Sequence, residues 1–173
     1  MNIKYAKINI IIEKIIWMLK MREIDDFGRF ICRYKADLFE YSAKQLVASK
    51  DFVKKYAYSN LAERMDDRGF WFEAIDVPQA FSEMQTIKAK KKISIYRRDE
   101  IRWIGYIYRY ICYTYEKPMK IVYKQISPQE LYDVFDAYHS LDNELAIKRI
   151  LEAKGLVFEK KDDIEKLKRI YGM

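Results

Sequence analysis

Few side chains in this 173-residue chain could carry chemistry. There is one histidine, His139, and there are two cysteines, Cys32 and Cys112. A histidine acts as a general base only beside a nucleophile or an orienting carboxylate, and no serine or cysteine stands at a suggestive spacing. His139 falls between the Tyr138 end of one helical pattern and the Ser140 or Asp142 start of the next, where an imidazole serves the helix dipole without catalysis. The two cysteines make neither a disulfide framework nor a zinc site and suit buried thiols in a reducing cytosol. Glu63, Asp66, Asp67, Glu73 and Asp76 crowd one stretch. Paired carboxylates could hold a divalent ion or move protons, but alternation with Arg64 and Arg68 favours solvated acids, or partners for bases elsewhere in the fold. With no Gly-rich phosphate loop, CxxC, HExxH or GxSxG, the sequence points away from an enzyme and away from any cofactor or metal.

The stronger pattern is basic and aromatic. Against 33 Lys and Arg stand 26 Asp and Glu, a formal charge of +7. Residues 86–124 hold eleven of the bases and only three acids, so the excess belongs to this segment. It contains Lys88, Lys90, Lys91, Lys92, Arg97 and Arg98, and then a stretch in which Arg102, Tyr106, Arg109 and Tyr113 recur at helical spacing. On a helix these four lie opposite an apolar stripe of Ile101, Ile104, Tyr108, Ile111, Cys112 and Tyr115. Such a face could grip phosphates and stack on bases, or anchor a protein partner. The competing reading places the tyrosines in the core with the arginines reaching out to water. Trp71, in the string RGFWFEAI, is a further hydrophobic anchor. That string has the alternation of an RNA-recognition strand, but Trp71 stands where Gly or Ala belongs and no partner strand precedes it. The expected partner-binding set is therefore the four lysines, Arg97, Arg98, Arg102, Tyr106, Arg109, Tyr113 and Trp71. The expected function is a non-catalytic protein-binding module, with nucleic-acid binding through residues 88–124 as the alternative.

These residues need helices to position them. Five Gly and three Pro are too few turn signals for a sandwich or a Rossmann unit. Ile8, Ile11, Ile12, Ile15, Ile16 and Leu19 form one amphipathic stripe, too short and too charged to span a bilayer. Short helices are expected over residues 24–65, with starts at Asp25 or Asp26, at Ser42 (a capping box with Gln45) and at Ser49. Pro78 suits a first turn, and residues 86–98 read as an exposed loop or short hairpin. Tyr106, Tyr108 and Tyr110 alternate as a strand would. The absence of a turn signal from Asp99 to Glu116, with Pro118 as a stop, instead predicts a central helix in which Gly105 lets a neighbour approach closely. Pro118 opens a short helix, Ser127-Pro128-Gln129-Glu130 is a capping box, and a further helix runs from Ser140 or Asp142 to Gly155. A last helix is expected over residues 162–171. The expected architecture is all-α, an irregular multi-helix bundle in which an N-terminal part (1–85) and a C-terminal part (86–173) form one compact unit. No membrane span or signal sequence is visible, so the expected location is cytoplasmic.

The strings LAERMDDRGFWFEAIDVPQAF, WIGYIYRYICYTYE and LYDVFDAYHSLDNELAIKRILEAKG resemble a family of short uncharacterised bacterial helical proteins linked to mobile-element, toxin–antitoxin-like or phage-defence contexts. The resemblance covers about residues 61–155 and transfers no functional residue. It implies a small accessory protein that binds a toxin- or nuclease-like partner and neutralises it.

Overall fold

The computed structural model describes residues 22–67, 70, 75–84 and 95–156. The Ile8 to Leu19 stripe, Trp71, the lysines at 88–92 with residues 86–94 of the expected hairpin, and the helix expected at 162–171 lie outside the described residues. Among the described residues there are nine helices and no strand, an all-α bundle. We number them α1 (Asp26–Lys44), α2 (Ser49–Ala57), α3 (Asn60–Asp66), α4 (Val77–Glu83), α5 (Arg98–Thr114), α6 (Met119–Gln125), α7 (Pro128–Asp133), α8 (Phe135–Tyr138) and α9 (Asn143–Ala153).

The spine is α1 lying antiparallel to α5, with the start of one beside the end of the other. Two glycines set the spacing. A Cβ on Gly28 would sit 2.6 Å from the Tyr113 ring, and one on Gly105 would sit 2.8 Å from the Phe39 ring and 3.0 Å from the Lys35 carbonyl oxygen. Gly105 thus does what its position in an apolar pattern suggests. The stripe Ile101, Ile104, Tyr108, Ile111, Cys112 and Tyr115 is buried throughout. At roughly 1.5–3 kcal/mol for each fully buried large side chain, it is a main source of stability. The Tyr108 hydroxyl donates to the Ile126 carbonyl at 2.6 Å, tying α5 to the end of α6. Phe39, Phe52, Tyr56 and Phe81 interlock edge to face or stacked, joining α1, α2 and α4.

Local signals explain most helix ends. The Asp25, Ser59, Asp76 and Asp142 side chains accept backbone N–H groups at their helix starts, and Ser127 with Glu130 forms the expected capping box. Residues 24–65 correct the expectation of short pieces, because α1 runs unbroken for 19 residues. Ser42 starts no helix. Its hydroxyl donates to the Phe39 carbonyl at 2.7 Å within α1, satisfied by the preceding turn. Ser49 does begin α2, but its Oγ accepts the Tyr96 N–H at 2.8 Å, pinning the approach to α5.

Candidate functional site

The basic residues expected on α5 do not form one exposed face. Asp99 and Glu100 occupy the first turn, and the Glu100 carboxylate accepts the Arg97 N–H at 2.7 Å. The Arg97 guanidinium is exposed but engaged, 2.7 Å from Glu100, 3.6 Å from Asp99 and 3.8 Å from Asp136. Arg98 is exposed. One to two turns on, Arg102 pairs with Asp37 and, at 3.0 Å, with Glu40, both on α1. Lys44, together with Arg102, holds the Glu40 carboxyl below its usual range. Tyr106 is half-buried, its ring 6.2 Å from that of Tyr110.

Arg109 and Tyr113 correct the expectation outright, at 3% and 4% exposed. Arg109 is 2.5 Å from Asp66 of α3. The Tyr113 hydroxyl donates to Asp25 at 2.5 Å, and this bond is the main cause of an Asp25 pKa below the ordinary value. The physical reason is that α5 has no solvent side along its second half. The antiparallel α1 and the end of α3 cover the face opposite the apolar stripe, and acids on those elements answer the bases. The core reading of the tyrosines therefore holds for Tyr113; Arg109 is neutralised inside the fold, whereas Arg102, its side chain 43% exposed, reaches water and is paired with acids there.

The acidic stretch supplies part of that neutralisation. Asp66 serves Arg109, Glu63 lies 3.8 Å from Lys120, and Asp76 caps α4. Glu73 lies outside the described residues, which contain no group of three or more His, Cys, Asp or Glu able to hold a metal. His139 ends α8 with Nδ1 2.9 Å from the Phe135 carbonyl oxygen and its ring stacked 4.5 Å from Phe135. Cys32 and Cys112 are buried free thiols, and burial pushes Cys32 up to about 12. No described helix is long and apolar enough to cross a membrane.

Counting the described residues alone changes the charge map. They carry nineteen bases and twenty acids, so the positive excess lies in the sequence outside them, Lys88, Lys90, Lys91 and Lys92 included.

Two features were missed in the sequence. One is Lys35, fully buried in α1 with Nζ 2.9 Å from Met119 Sδ and 4.7 Å from the centre of the Tyr56 ring. Its position among Ile31, Cys32, Leu38 and Phe39 on the buried stripe was the available signal. The other is a face where α2 meets α6. There Tyr58 (54% exposed) packs edge to face on Tyr123 at 5.9 Å, with the exposed Lys54 one turn before Tyr58 and the exposed Lys124 next to Tyr123 in sequence. Farther along α2, Tyr96 stacks on Tyr132 at 4.4 Å and walls a groove of about 560 Å³ with Lys50 and Arg97 at its edge.

The class these observations define is an all-α bundle built on a buried, charge-bearing central helix. No family model, no curated protein and no solved structure matches the chain.

Proposed function

We infer that the protein is a non-catalytic binding module that holds an acidic protein partner on the α2–α6 face. The observation that carries this reading is the Tyr58–Tyr123 pair. Two aromatic rings stand partly in water on well-packed helices, with Lys54 and Lys124 exposed close to them in sequence. Tyrosine anchors within a charged rim are the anatomy of protein interfaces, where large rigid side chains gain contact area at small entropic cost. A nucleic-acid surface fits less well. The ring pair is edge to face and so offers less open π-surface for bases, and Asp51 and Glu63 interrupt the lysines. The resemblance over residues 61–155 supplies the partner class, a toxin- or nuclease-like protein inhibited in the complex, and that part rests on the sequence strings alone.

The test is capture by the tagged full chain from extract of its own host, run with and without nuclease treatment. A stoichiometric complex with an acidic protein is expected, lost in Lys54→Glu/Lys124→Glu and kept in the α9 control Lys148→Glu/Arg149→Glu. Capture indifferent to the first pair overturns the reading. Retention of nucleic acid only, weakening steeply with salt, would establish the alternative. A complex in which the partner keeps full activity would remove the inhibitor role.

A further inference from the structure

A cavity of about 380 Å³ opens between the approach to α1, the end of α3 and the C-terminal end of α5. Its charged lining is unlike a packing defect. Arg109 contributes a guanidinium whose side chain is only 4% exposed, paired with the Asp66 carboxylate. Among the described residues its buried Nε has no hydrogen-bond partner, although a guanidinium offers five N–H donors. Asp66 is itself committed, its Oδ2 accepting the Met119 N–H at 3.3 Å. Arg22 stands across the cavity with its guanidinium 4.2 Å from the centre of the Tyr113 ring and 3.0 Å from Asp25. Phe27 and Met65 form an apolar wall, and Glu116 and Lys117, neither of them buried, also line the cavity.

The buried charge around this cavity is unbalanced. Lys35 and Arg109 are both buried, and Asp66 is the only carboxylate in ion-pair contact with either among the described residues. Burial lowers Lys35 to about 8, with Arg109 pushing in the same direction while the Asp66 carboxylate opposes it. Buried cations in excess of acids leave room for one more negative charge.

We propose that this cavity is a binding site for a small organic monocarboxylate, its carboxylate seated against Arg109 and Arg22 and its apolar body against Phe27, Met65 and the Tyr113 ring. A carboxylate matches the guanidinium fork and adds a negative charge beside the buried cations Lys35 and Arg109. The volume lies in the lower part of the small-molecule range, roughly 300–1,000 Å³, which suits one ring or a short chain. The site is distinct from the α2–α6 face and does not depend on a protein partner. Binding also favours protonation of Lys35, so that near pH 8 the ligand carries a proton in with it.

The experiment is calorimetric titration of the full chain with sodium benzoate as probe, against benzyl alcohol and inorganic phosphate at matched ionic strength. Saturable benzoate binding is expected, about tenfold or more tighter than benzyl alcohol, as one charge-assisted hydrogen-bonded pair requires. Arg22→Gln, whose side chain is only partly buried, should weaken benzoate by about tenfold while melting like the parent. At pH 8 the heat should vary with the buffer's ionisation enthalpy, showing proton uptake, and Lys35→Met should abolish that variation while still binding. No saturable benzoate binding, equal affinity for benzyl alcohol, tighter binding of phosphate, or an Arg22→Gln variant that binds benzoate unchanged would each overturn the proposal.

Discussion

At Lys35 the ammonium has exchanged water for a thioether and three aromatic rings, those of Tyr56 at 4.7 Å, Phe39 at 5.4 Å and Tyr108 at 5.5 Å. Cation–π attraction offsets only part of the lost hydration. The folded-state pKa, about 8, lies below the ordinary 10.5, so between those values the unfolded chain holds the extra proton and stability rises with pH. Lys35→Met should therefore stabilise the protein at pH 7 by about 1–3 kcal/mol in urea unfolding. The advantage should shrink from pH 8 to pH 9, as the native lysine loses its proton. A variant less stable than the parent at pH 7 would mean that the rings and Met119 more than repay the burial. Cys32, raised by burial to about 12, acts in the opposite sense above its ordinary value of 9.0, so the comparison belongs below that pH. Asp66→Ala removes the only carboxylate contact of Arg109 among the described residues and leaves a buried charge without it, at an expected cost of about 3–5 kcal/mol. Thermal or urea unfolding close to the parent would show that water replaces the carboxylate.

The helices end by a shared device. α1, α5 and α9 each close with a residue in the left-handed region, Leu46 (φ 59°), Glu116 (φ 52°) and Gly155 (φ 60°). In each case the next N–H returns to the helix, Val47 to Ser42, Lys117 to Cys112 and Leu156 to Leu151. Only α9 uses glycine there. Leu46 is 49% exposed, so Leu46→Gly forfeits little burial and should raise stability by about 0.5–1 kcal/mol, read as a higher melting temperature. The contact between α1 and α5 predicts the reverse for Gly105→Ala. Alanine favours an isolated helix by about 1 kcal/mol, yet here its methyl meets Phe39 and the Lys35 carbonyl at 3.0 Å or less. A net loss of about 1–3 kcal/mol is expected, and a gain would show that the two helices part cheaply.

Across the whole molecule, the described bundle is close to neutral while the full chain carries +7. Affinity for a polyanion should then follow the lysine cluster and not α5. On a sulfated-polysaccharide column, replacing Lys88, Lys90, Lys91 and Lys92 by Gln should move elution to clearly lower salt. Arg102→Gln, which removes a base already facing Asp37 and Glu40, should elute near the parent. The opposite order would restore α5 as the polyanion surface.

Periodicity and punctuation in the sequence were sufficient for the all-α class, the central helix, the buried stripe from Ile101 to Tyr115, and the starts at Pro78 and Ser127, while packing chose Asp25 over Asp26 and Asp142 over Ser140. These depend on neighbours a few residues apart, which a linear text displays. Which residues of α5 would meet water was not legible. That follows from the antiparallel α1, held close by Gly28 and Gly105, and from the end of α3, elements far away in sequence that bring Asp37, Glu40 and Asp66 to the bases and Asp25 to the Tyr113 hydroxyl. The Tyr58–Tyr123 pair and the Arg109 cavity likewise join residues more than forty positions apart. Only tertiary packing could decide them, because a charge is a surface feature or a buried pair according to what is packed against it.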